Sequence, residues 1–189
     1  MIAVLQGAIA CGQENDSRLD KELEAGLNKQ INEEMFSSYL YLSMAAYFES
    51  ANLPGFANWM RVQTQEETRH AMMFFDYVNR RNGRVLLTEI EAPQVKWKSP
   101  LDAFTAAYEH EKHISSRIRS LVKHARGQSD DSTDNFLQWF VAEQVEEEDS
   151  TYKIVQQLKL VGDDRAALFL IDRELAMRVL PPNPAPAAP

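Results

Sequence analysis

The chain has 189 residues, is 44% hydrophobic and 25% charged, and carries a formal charge of −8. Such a length and composition fit one soluble domain with a substantial core. The acidic balance argues against a nucleic-acid partner, which needs a basic face, and no apolar run approaches the ~20 residues of a membrane span.

A net negative charge suits a protein that attracts cations. The one cysteine, Cys11, leaves no disulfide within the chain and no thiolate zinc site. A reducing, cytoplasmic setting is therefore expected. Residues 1–16 read as a flexible arm. MIAVLQGAIAC has the apolar look of an export signal, but no basic residue precedes Arg18.

Glycine is scarce, at 7, and five of the 8 prolines follow Leu180. A body so short of breakers favours long helices. The first helix is expected from about Ser17 to Ser50, capped by Asp16 or Ser17, with Gly26 weakening it by ~1 kcal/mol. ANLPG is a turn, and Pro54 suits the first turn of a second helix. That helix is expected to run to about Asn82 and to stop at Gly83. Ser99 caps a third helix that ends at Gly127. After QSDDSTD a fourth runs to Gly162, and Asp163 or Asp164 caps a short fifth reaching about Val179. The folded domain thus spans residues 17–180, and 181–189 (PPNPAPAAP) form a disordered tail.

Residues 83–99 are long for a loop inside a compact domain. Their length has a use. A second helix of about 28 residues is roughly 42 Å long, and about 17 extended residues reach up to roughly 56 Å. The loop can therefore run the length of the bundle, making an all-α four-helix bundle with one long crossover connection and a short fifth helix. Val85, Leu86, Leu87, Ile90, Val95 and Trp97 are expected to tack it down.

Each of the four long helices carries a metal-type donor on its apolar side. At 100° per residue, Leu27, Ser38, Tyr41, Ala45 and Phe48 lie within about 40° of Glu34. Phe56, Met60, Ala71, Phe74 and Val78 surround Glu67, with His70 one turn on. Phe104, Ala107, Ile118, Val122 and Ala125 line up with Glu111. Leu137, Phe140, Val155 and Leu158 line up with Gln144. One helical Glu is usually a solvated residue. Three helices each burying an acid, with the fourth supplying an amide, call for cations in the core. Carboxylates with one imidazole and no thiolate suit iron or manganese more than zinc. Glu-x-x-His alone is a weak motif; with Glu34, Glu111 and Gln144 on the other helices it is a strong one.

NEEMFSSYLYL, QTQEETRHA, YEHEK and LQWFVAEQVEEE resemble the corresponding segments of ferritins, of the non-haem, H-chain-like bacterial type. The resemblance covers about Leu19 to Met177. Ferritin-like folds are themselves the standing example of a one-crossover bundle. The resemblance implies a ferroxidase that oxidises Fe(II) with O2 or H2O2 and stores ferric mineral inside a cage of twenty-four chains. It puts one iron on Glu34, Glu67 and His70, and a second on Glu67 and Glu111 with Gln144 beside it. It adds a third iron site at Glu66, Glu143 and Glu147, with Glu146 weaker; choosing Glu147 over Glu148 rests on the resemblance. Tyr41 is implied as an electron donor beside the iron pair. Trp139 is better read as packing. Asp130, Asp131 and Asp134 are implied at a channel through which iron enters.

Gln144-Val-Glu-Glu147 replaces the second Glu-x-x-His of symmetric relatives. Thr68 stands where bacterioferritins place a haem-ligating Met, so no haem is expected. A rubrerythrin-like peroxidase would add paired Cys-x-x-Cys, which this chain lacks. Phe36, Leu40 and Tyr47, opposite Glu34, are expected to form a subunit interface. Leu168, Phe169, Ile171 and Leu175 make the fifth helix too apolar to hang free.

Overall fold

The computed structural model describes residues 19–182. Five helices follow one another: α1 Lys21–Ser50, α2 Pro54–Arg80, α3 Pro100–Gly127, α4 Asp131–Val161 and α5 Arg165–Leu175. The expected residue 1–16 arm lies outside the described residues, as does the proline-rich tail beyond residue 182. Among the described residues, no helix is long and apolar enough to cross a membrane.

The ends of the helices follow local chemistry. α1 starts later than expected, because Asp20 caps it by accepting from the Glu22 and Leu23 amides at 3.0 and 3.1 Å. α2 ends at Arg80, not near Asn82. Asn82 takes the left-handed turn (φ 55°) that the sequence suggested for Gly83, and the Gly83 amide closes onto Val78 O at 2.9 Å. Ser99 caps α3 as expected, Asp130 caps α4 and Asp164 caps α5. α5 stops at Leu175, four residues short of its expected end.

Ring contacts give the directions. Phe104, near the start of α3, packs on Phe56 and Trp59 near the start of α2, at 5.8 and 5.2 Å. Phe136 and Phe140 of α4 pack on Tyr77 and Phe74, near the end of α2. So α3 runs parallel to α2 and α4 antiparallel to it, the arrangement a full-length crossover produces.

Residues 81–99 form that crossover, climbing α1 without regular structure. Polar side chains of α1 hold its backbone: Asn28 bonds Arg84 O and the Leu86 amide, Asn32 donates to Glu89 O, and Ser43 donates to Gln94 O. Leu86, Leu87, Ile90 and Val95 point outward, contrary to expectation. The segment rests on α1 through backbone carbonyls held by Asn28, Asn32 and Ser43, so of the six apolar residues only Val85 and Trp97 pack inward. Trp97 lies 5.4 Å from the Tyr47 ring. This corrects the expected subunit interface, since Leu40 is buried and Phe36 and Tyr47 partly so within the chain itself.

Two apolar plugs close the bundle. One gathers Tyr41, Met44, Phe48, Phe56, Met60 and Phe104; the other gathers Leu23, Leu27, Phe74, Ile118, Leu137 and Phe140. Between them lies a polar band.

α5 is docked by a contact the sequence did not announce. The buried Asp172 accepts from the Gly55 and Phe56 amides at 2.8 and 3.1 Å, capping α2 from a distance. α2 has no side-chain cap of its own. Gly55 is required there, because a Cβ would come within 1.6 Å of the Asp172 carbonyl oxygen. Replacing Asp172 by Ala leaves two buried amides without an acceptor, which is expected to cost about 1–3 kcal/mol. Thermal unfolding of Asp172→Ala against the parent checks this; an unchanged midpoint would show that the cap contributes nothing.

Candidate metal centre

The polar band consists of Glu34 from α1, Glu66, Glu67 and His70 from α2, Glu111 from α3, and Gln144 and Glu147 from α4, all buried, with Glu143 half-buried. Three sets of donor atoms converge: Glu34, Glu67 and His70; Glu67, Glu111 and Glu147; and His70, Glu143 and Glu147. Within each set the ligand atoms lie inside 4.8 Å of one another. Glu67 belongs to two sets, and so do His70 and Glu147.

Each expected residue has a definite place. Glu34, Glu67 and His70 come together, with His70 Nδ1 3.3 Å from Glu67 Oε2. Glu111 comes together with Glu67 and Glu147, and Gln144 lies beside Glu111. Gln144 acts as a donor, from Nε2 to Glu111 Oε2 and O at 3.2 Å and to Ser115 Oγ at 3.3 Å. Glu147 is buried, whereas Glu148 is half-exposed and accepts from Ser115 Oγ, and Glu146 faces solvent. Geometry therefore separates three acids that the helix wheel could not.

Glu143 Oε1 lies 3.8 Å from His70 Nε2. Glu66 joins no set among the described residues; its Oε2 pairs with Arg178 Nη2 at 2.5 Å. The Tyr41 hydroxyl donates to Glu111, and its ring meets Trp59 edge-on at 6.4 Å. Trp139 packs edge-on to His70 at 5.4 Å. The three aspartates at the start of α4 lie elsewhere. Asp130 pairs with Arg81 at 3.0 Å, Asp134 with Arg126 at 2.9 Å, and Asp131 is exposed.

Two buried glutamines were missed. Gln30 Nε2 donates to Glu34 Oε1 at 2.8 Å, and its own Oε1 accepts from Arg117 Nε at 3.2 Å. Gln63 Nε2 bridges Glu67 Oε1 and Glu147 Oε2 at 2.8 and 2.7 Å. Each lies four residues before a buried Glu, a spacing that puts the pair on one helix face. That repeat was visible in the sequence. His110 was missed too; it is 2.7 Å from Ser37 Oγ, and burial pushes its pKa down.

Protons hold the acids together here. Burial, then the charge on Glu67, pushes Glu34 far above the usual carboxylate range and raises Glu111 to about 8. Burial, then the charge of Glu111, does the same to Glu147. Burial also pushes Glu67 upward, but bonds from His70 and Gln63 outweigh it and hold Glu67 below its ordinary value. His70 loses by burial and gains more from Glu67, ending at about 10. The centre is thus an ionised Glu67 against a cationic His70, with Glu34, Glu111 and Glu147 pushed toward the protonated form beside them. Glu34 Oε2 and Gln63 Oε1 are buried oxygens without a hydrogen-bond partner. Unpaired oxygens among hard oxygen donors and one imidazole fit a pair of first-row divalent cations.

Comparison with known proteins shows the family. Residues 24–161 match the family model described as a ferritin-like domain. A bacterial non-heme ferritin of Bacteroides fragilis is 42% identical over 160 residues, which is 85% of this chain and 99% of the relative. Another, of Campylobacter jejuni, is 41% identical over 155 residues, 82% and 93% of the two chains. Among solved structures, an open-pore ferritin from the archaeon Archaeoglobus fulgidus superposes with a TM-score of 0.85 at 52% identity, covering 87% of this chain and 99% of its own.

The proton inventory has a pH signature. Glu111 keeps its proton to about 8, while the unfolded chain releases it near 4.5. The metal-free fold therefore loses stability as pH rises between those values. His70 adds stability that is complete below about 6.5 and fades as pH climbs toward 10. A divalent cation replaces these protons, so its binding tightens with pH. Melting of chelator-treated protein from pH 6 to 8 is expected to show a falling midpoint, with a gap to the Zn(II)-saturated protein that widens. A gap that narrows with pH would contradict the assignment.

Proposed function

Because this chain belongs to the ferritin-like family, we propose that it stores iron, oxidising Fe(II) at the buried centre and collecting the ferric product inside an assembly of its own copies. What supports this most is the centre itself. Four helices turn carboxylates, an imidazole and an amide into one band, and Glu67 reaches both halves of it. Fe(II) is the substrate. One ion is held by Glu34, Glu67 and His70, and the other by Glu67, Glu111 and Glu147.

Oxygen donors favour Fe(III) over Fe(II), so the site drives oxidation. Two Fe(II) ions give one electron each. O2 takes both with two protons and leaves as hydrogen peroxide; with peroxide as the oxidant, the same two electrons and two protons give water. The chain prepares this step by releasing the protons of Glu34, Glu111, Glu147 and His70 as cations enter, and the charge of the cations offsets the repulsion between the acids so ionised. Gln30 and Gln63 orient Glu34 and Glu67 from behind, as outer partners do at metal sites. Where O2 is carried with four protons to water, two of the four electrons come from the iron pair, one from a third Fe(II) and one from Tyr41, whose hydroxyl bonds Glu111. His70, Glu143 and Glu147 make a third locus for iron on the same side as Glu66.

Storage needs a container. Phe169 and Leu170 of α5 and Tyr39 and Leu42 of α1 are exposed, which suits contacts between copies. We assign a shell of twenty-four chains, acidic enough to draw in cations.

Two measurements test these points separately. Glu67→Ala removes the donor common to both ions. Its initial rate of aerobic Fe(II) oxidation is expected to fall by at least the roughly 10–100-fold that loss of an outer partner costs at metal sites; a rate equal to the parent's would show the centre to be misassigned. Light scattering of the full chain is expected to give about 520 kDa, twenty-four times its 21.6 kDa. A monomer or dimer would remove the shell and leave the centre standing.

A further inference from the structure

Beyond α5 the chain does not leave the bundle. Residues 176–182 lie along α2 without regular structure. Asn58 Nδ2 donates to Leu175 O, Ala176 O and Arg178 O at 3.3, 3.3 and 3.0 Å, and Arg69 Nη1 donates to Pro181 O at 2.6 Å. Between these two ties sits Arg178. Its guanidinium covers the Trp59 ring at 4.1 Å, donates to Trp59 O at 3.3 Å, and pairs with Glu66 at 2.5 Å. The pair is largely sheltered, with the Arg178 side chain 21% exposed and that of Glu66 7%.

Glu66 is the neighbour of Glu67, the acid shared between the two halves of the centre. The adjacent cluster of His70, Glu143 and Glu147 assembles without it. A carboxylate beside three cation donors is thus occupied by a cation the chain carries itself. We propose that Arg178 is a built-in competitor for Glu66, which sets how many metal ions each chain holds tightly. While the guanidinium is seated, the locus beside the centre has three donors. When it leaves, Glu66 becomes a fourth. An incoming cation must displace the seated guanidinium of Arg178 from Glu66. The ties made by Asn58 and Arg69 go to backbone carbonyls, so the segment stays in place when the side chain swings away.

This rests on the metal reading of the centre, and the test keeps the two apart. Zn(II), which is not oxidised, is titrated calorimetrically into the assembled, metal-free full chain. The parent is expected to take two tight equivalents per chain and a weaker third. In Arg178→Gln the third should tighten by about tenfold or more while the first two stay unchanged, in line with the scale of partner effects at metal sites. Arg178→Lys, which keeps the charge, should stay near the parent. Adding Glu66→Gln to Arg178→Gln should abolish the gain. A third equivalent unchanged in Arg178→Gln, with only the melting point lowered, would show that Arg178 merely pins the segment and would overturn the proposal. So would a gain that survives Glu66→Gln. If the parent takes no tight Zn(II), or if Glu67→Ala leaves the first two equivalents intact, the centre itself has failed and the competitor role with it.

Discussion

The ion pair of Glu67 with His70 is the constraint around which the bundle is arranged. It places one ionised carboxylate in a core closed at both ends by aromatic and aliphatic plugs. A lone charge in such a place costs several kcal/mol, and His70 answers it at 3.3 Å. The charge on Glu67 disfavours ionisation of Glu34, Glu111 and Glu147. Glu34, Glu111 and Glu147 keep their protons because they are buried and crowd one another and Glu67. The metal-free protein thus stores its readiness for cations as a set of protons. A bundle packed only with apolar residues would be easier to stabilise; this one gives up packing in its middle for a site.

Layers above that pair serve to hold it in register. Gln30 and Gln63 reach forward one helical turn to fix a carboxylate each, and Gln63 also ties α2 to α4 through Glu147. Gln144 and Tyr41 do the same for Glu111 from α4 and α1. Such a network makes the acid positions mutually dependent, so the loss of one partner is felt at the others. Farther out, Asp172 ties α5 to the start of α2, and the segment after α5 follows α2 back toward Glu66. The end of the chain and the centre are therefore linked along one helix.

Much of this was legible in the sequence, and the reason is periodicity. A donor inside an apolar stripe can be seen from spacing alone, and that was enough for Glu34, Glu67, His70, Glu111 and Gln144. Caps such as Ser99 and Asp164 are equally local. What spacing cannot say is which element covers a given face. Phe36, Leu40 and Tyr47 looked bare on the wheel, yet His110 lies 5.9 Å from Phe36 and Trp97 meets Tyr47. The crossover is held by Asn28, Asn32 and Ser43, whose amide and hydroxyl groups look like ordinary surface polarity until the chain passes over them. Asp172 and Arg178 act on residues more than a hundred positions away, and no local pattern announces that. Glu147 and Glu148 lie almost equally near the core line; only the packed bundle shows one buried and the other bonded to Ser115.

On the proposed reading, the acid band holds two iron ions that share Glu67. Crystals of the full chain soaked in Fe(II) without oxygen, with anomalous diffraction recorded at the iron edge, test it most directly. Two peaks per chain are predicted inside the bundle, one bounded by Glu34, Glu67 and His70 and the other by Glu67, Glu111 and Glu147. An interior free of anomalous signal, with iron only on surface acids, would contradict it.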